Sequence, residues 1–74
     1  MLRFTYRAVK GNHTEYVEIV AEDVNKAESY LQRFGWTELD QRSVGDWHSG
    51  KPGSDEAGIL SRDSEGRVIL NNNP

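Results

Sequence analysis

The sequence predicts a small α+β domain, an antiparallel sheet in the order β-β-α-β-loop-β-β with one helix packed on one face. Three observations carry this. Positions 2–9, LRFTYRAV, alternate apolar and polar residues, and a second alternating run follows a Gly-Asn pair. Val24, Ala27, Leu31 and Phe34 then recur at helical spacing, with an Asp before them and a Gly after. Beyond position 44 short apolar runs return only at Ile59-Leu60 and Val68-Ile69-Leu70, with Asp63-Ser64-Glu65-Gly66 between them.

In the first strand Leu2, Phe4, Tyr6 and Ala8 share one face, while Arg3, Thr5 and Arg7 share the other. Gly11-Asn12 reads as a two-residue hairpin turn of the II′ type, in which Gly supplies the positive φ. Pairing Lys10 with His13 then sets Tyr6 opposite Val17, Phe4 opposite Ile19 and Leu2 opposite Ala21. The other face pairs Arg7 with Tyr16, Thr5 with Glu18 and Arg3 with Val20. A slip of one residue would oppose apolar to polar side chains, so the pattern and the turn specify one register.

Asp23 is the natural N-cap of the helix, and Gly35 is its natural C′ residue. That places Trp36 at C″, positioned to pack back on Leu31. A third strand is expected from Thr37 to Val44 with Leu39 inward. Positions 45–58, GDWHSGKPGSDEAG, hold four of the seven glycines and read as one long loop. Such segments in small domains are either functional or disordered. A helical turn over Ser54 to Ser61 is the alternative there, opposed by Gly58 at a cost of about 1 kcal/mol. The Asp63–Gly66 turn closes a second hairpin. Residues 1–70 thus form one domain, and 71–74, with nothing to bury, are expected to fray.

The chain has 74 residues, 35% of them apolar, and a net charge of −3. That length supports one core. With no Cys there is neither a disulfide staple nor a thiolate metal site, so the fold rests on its apolar core alone. No apolar run approaches the roughly 20 residues that a membrane-spanning helix needs. The N-terminus shows no basic-then-apolar leader, and the expected location is the cytoplasm.

Chemistry-bearing residues are sparse. His48 stands beside Asp46 and Trp47, and His13 beside Glu15, but two His at separate corners do not announce three or four converging metal ligands. General acid–base work by His48 with Asp46 is conceivable; a solvated loop His is the plainer reading. No Ser lies in a GxSxG elbow, and GKPGS lacks the spacing of a phosphate-binding loop. No catalytic residue, cofactor or metal is therefore expected. Asn12-His13-Thr14 matches a glycosylation sequon, which without a secretory leader carries no weight.

The expected function is a non-catalytic protein-interaction module that presents a preformed surface, including an exposed strand edge, to a larger partner. Candidate contact residues are Arg3, Arg7, Tyr16 and Val20 on the outer sheet face, Tyr30 at the edge of the helix stripe, and Trp47 with His48 in the loop. Trp47 either folds back to cap the core or anchors an interface. Either terminal hairpin leaves a strand edge for pairing with a second copy, so a homodimer is a further expectation. The hairpin followed by AEDVNKAESYLQRFGW and a lone strand resembles, in layout, small accessory proteins of bacteriophages, some of which inhibit a host enzyme or defence complex. That resemblance implies an inhibitor or regulator and assigns no residue a role. The alternative is weak binding of RNA or single-stranded DNA by Arg3, Arg7 and Lys10 with Tyr16. Phe4 and Tyr6 cannot both stack bases and hold the helix, and the net charge repels phosphate, so nucleic acid is not the expected partner.

Overall fold

A computed structural model describes residues 1–52 and 57–71, with the side chain of residue 71 excluded. The elements are β1 (Leu2–Lys10), β2 (His13–Ala21), α1 (Val24–Arg33), β3 (Thr37–Asp46), β4 (Ala57–Arg62) and β5 (Val68–Asn71). They form one antiparallel sheet in the spatial order β3-β1-β2-β4-β5, with α1 on one face.

The β1–β2 register runs from Lys10↔His13 to Leu2↔Ala21, as the alternation and the turn require. Gly11 has φ 63°, and Asn12 is not in the positive-φ region, the combination that defines a II′ turn. This turn matches the right-handed twist of the strands it joins.

Both ends of α1 are closed by local chemistry. Asp23 sits in extended backbone, and its Oδ1 accepts from the Lys26 N–H at 2.9 Å, satisfying one of the orphan donors of the first turn. At the other end Gly35 adopts φ 93°, its N–H donates to the Gln32 carbonyl at 3.1 Å, and the Trp36 N–H donates to the Leu31 carbonyl at 3.0 Å. That bond pair is a Schellman motif, and Trp36 returns to the core cluster that contains Leu31.

The helix carries the chain from the end of β2 to the far side of β1, where β3 begins; the Thr37 hydroxyl donates to the Val9 carbonyl at 3.2 Å. β1 and β2 thereby become interior strands. The core on the helix side comprises Phe4, Tyr6, Ala8, Val17, Ile19, Ala21, Ala27, Tyr30, Leu31, Trp36 and Ala57, with Leu2, Phe34, Leu39 and Ile59 packed against it. These are the inward alternates of β1 and β2 and Ala27, Tyr30 and Leu31 of α1, joined by Trp36 and by residues of β3 and β4; Val24, expected on the helix stripe, is instead 38% exposed at the first turn.

Two boundaries differ from expectation. β3 runs two residues beyond Val44, and β4 starts at Ala57, so Gly45, Asp46, Ala57 and Gly58 belong to strands rather than to a loop over 45–58. Ladder pairing decides this: Arg3↔Gly45, Leu2↔Asp46, Val20↔Gly58 and Ala21↔Ala57 are all in register. Glycines that locally favour loops are tolerated where neighbouring strands supply the hydrogen bonds. The strand from Ala57 to Arg62 also excludes a helical turn there. Positions 53–56 of the expected loop, and 72–74 of the expected tail, lie outside the described residues; Asn71 pairs with Ile59.

The second hairpin closes as the Asp63–Gly66 turn predicts. The Gly66 N–H donates to the Asp63 carbonyl and the Asp63 N–H to the Arg67 carbonyl, both at 3.0 Å, with Gly66 at φ 83°. This is a type I turn followed by a left-handed bulge residue. Among the described residues no helix is long and apolar enough to cross a membrane.

Candidate protein-binding surface

Because Phe4, Tyr6 and Ala8 face the helix, the odd residues of β1 and the even residues of β2 project from the opposite face. Arg3 and Arg7 are exposed there, and Tyr16 is 66% exposed. β4 pairs with β2 only from Glu18 to Ala21, so Tyr16 has a strand on one side alone. Arg7 lies between Tyr16 on β2 and Asp40 on β3. Asp40 is engaged by Arg42 at 3.0 Å, and among the described residues Arg7 makes no ion pair. Arg3 approaches Glu18 at 3.9 Å; both side chains are well exposed, and such a pair holds about 0–1 kcal/mol.

Beside Arg7 the surface dips into a shallow depression lined by Arg7, Val9, Thr14, Glu38 and Asp40. Glu38 stands at φ 50°, where the β1–β3 register shifts between Arg7 and Val9. A non-glycine residue in left-handed backbone costs on the order of 1 kcal/mol, held here by pairing on either side.

Two expected surface residues are buried. Val20 is 0% exposed although it lies on the face away from the helix. It stands opposite Gly58, in the strand pair that also carries buried Leu60, outside the main core cluster. Pro52, among the described residues that follow β3, is buried as well. Tyr30 is 1% exposed and belongs to the core, its ring edge-on to Phe34 at 4.7 Å. Its place three residues after Ala27 puts it within the helix stripe rather than at its margin.

Trp47 is half-buried and outside the main core cluster. Its backbone N–H donates to the Met1 carbonyl at 3.2 Å and its indole N–H to the Gly50 carbonyl at 2.8 Å, so the ring closes its own loop. His48 is exposed and forms no hydrogen bond with Asp46 among the described residues. Lys10 leaves the Arg3–Arg7 face: as an even residue of β1 it turns to the helix side, its Nζ 5.4 Å from the centre of the Trp36 ring.

The strand edges were only partly legible in sequence. The first hairpin is central, so it leaves no full edge, contrary to the expectation that either hairpin would. Among the described residues the free edges are β3, β5 and the part of β2 beyond β4. β5 exposes Val68 (39%) and Ile69 (45%), and the uncharged run VILN in the last strand was the available signal.

The fold defines a small α+β domain with a five-stranded antiparallel sheet and one helix. No protein-family model, curated protein or solved structure matches the chain.

Proposed function

We propose that the protein is a small, non-catalytic, cytoplasmic interaction module that binds a larger protein and inhibits or regulates it, in the manner of bacteriophage accessory proteins. The observation that carries this reading is the exposed Tyr16 on β2, cross-strand from Arg7 on β1, which makes no ion pair among the described residues. Tyrosine and arginine, with tryptophan, are enriched among binding hot spots, and a tyrosine on a strand loses little conformational freedom when it docks.

Tyr16→Ala and Arg7→Ala, alone and together, test it. Both are expected to leave the thermal midpoint nearly unchanged while reducing capture of the partner from a host lysate at least tenfold, a loss of about 1.4 kcal/mol. Equal capture by the double variant would overturn the assignment. Titration of a labelled oligonucleotide at two salt concentrations separates the nucleic-acid reading, which demands steeply salt-dependent binding. The departure of Lys10 from the face counts against that reading.

A further inference from the structure

We propose that β5 is a self-recognition edge, through which two copies of this chain pair in an antiparallel, two-fold arrangement centred on Ile69. The inference is independent of what the Tyr16–Arg7 face binds. It starts from the contrast between the free edges. β3 is guarded: two register irregularities interrupt its pairing with β1, Glu38 sits in left-handed backbone, and Asp40, Arg42 and Asp46 bring charge. The free part of β2 carries the His13–Glu15 pair at 2.9 Å. Irregularity and charge are the ordinary means by which sheets discourage edge-to-edge pairing. β5 has neither; it is four uncharged residues in regular pairing with β4, with Val68 and Ile69 exposed.

The hydrogen-bond phase of the hairpin gives the register. The Asp63 N–H bonds the Arg67 carbonyl, and the pairs Arg62↔Val68, Ser61↔Ile69 and Leu60↔Leu70 follow without a slip. Bonded and non-bonded pairs alternate in an antiparallel ladder. Ile69 therefore turns its N–H and C=O toward Ser61, whereas Val68 and Leu70 turn theirs to the open side. Two copies related by a two-fold axis at Ile69 set Val68 opposite Leu70 of the other copy, and the reverse, so the outward groups of each meet those of the other. Ile69 faces its own counterpart in the non-bonded position, where side chains come closest.

Charge favours this occupant. No charged residue lies within 68–71, and the flanking Arg67 is neutralised within its own copy by Asp63 at 3.0 Å and Glu65 at 3.1 Å. Pairing β5 with β3 of another copy would instead grow an open chain, and β3 is the guarded edge; the self-pair closes at two. So short an interface belongs to the weak class that buries less than roughly 1,200 Å².

Sedimentation equilibrium from about 10 µM to about 1 mM brackets that class. The average mass is expected to rise toward the dimer, and the Val68 and Leu70 amides are expected to exchange more slowly as concentration rises, with Ile69 already protected throughout. Ile69→Lys opposes two like charges, and Val68→Pro removes an outward donor without touching the β4 ladder; each is expected to weaken association at least tenfold. Val44→Lys on β3 is expected to change nothing. A wild-type chain that stays monomeric to about 1 mM, or variants at Ile69 and Val68 that associate like wild type, would overturn the proposal. Circular dichroism on each variant shows whether the fold is kept, and either variant alone suffices for the comparison.

Discussion

The Tyr6 hydroxyl, at the centre of β1, donates to the Glu28 carboxylate on α1 at 3.2 Å. The ring is fully buried, and the bond joins the middle of the sheet to the rim of the helix, where Glu28 is half-exposed. The contact thus ties the helix to the strand that pairs with both β2 and β3.

Burial first, and then the adjacent Glu28 charge, push the Tyr6 hydroxyl well above its ordinary value of 10.0. Protonated Tyr6 is therefore favoured in the folded state, and its contribution is complete below about pH 10, declining as pH rises beyond it because the unfolded chain then sheds the proton first. Tyr6→Phe should cost about 1 kcal/mol at neutral pH and flatten the alkaline limb of the stability curve, read from urea midpoints between neutral and strongly alkaline pH. An unchanged alkaline limb would remove Tyr6 from this account.

The helix ends offer a second check. Asp23→Ala should lose about 1 kcal/mol through the missing bond to Lys26. Gly35→Ala should lose about as much for another reason: at φ 93° a Cβ is strained, although the space beside it, 3.5 Å from the Lys10 side chain, is open enough to hold one. Chemical denaturation of both variants measures the two losses.

Val20 and Tyr16 share the outer face but differ in exposure, 0% against 66%. Val20→Ala should destabilise by about 2 kcal/mol, and Tyr16→Ala by no more than about 0.5 kcal/mol. Equal midpoints for the two would mean that Val20 is not packed as its full burial requires.

At the second hairpin Asp63 accepts from the N–H groups of Arg67 and Glu65, both at 2.9 Å, and from the Arg67 guanidinium at 3.0 Å. These bonds, led by that from the Arg67 backbone, hold its carboxyl below the ordinary 3.8. A lowered value stabilises the folded hairpin above the unfolded-state range, and the contribution disappears as pH falls through the lower one. Asp63→Ala is expected to speed amide exchange along β4 and β5 at neutral pH, with the difference from wild type closing in strong acid.

The sequence by itself determined whatever is local. The β1–β2 register, the Gly11 turn, the Asp23 cap, the Gly35–Trp36 ending and the Asp63–Gly66 turn each depend on residues within about twenty positions of one another, and each follows from periodicity or φ preference. Tertiary structure decided the rest. Nothing local says that α1 delivers β3 to the outside of β1, that β4 docks on β2 and draws Ala57 and Gly58 into the ladder, or that a valine on the polar face is covered. Those outcomes depend on which strands find each other across long loops, and the same choice left β5, with its uncharged residues, at an open edge.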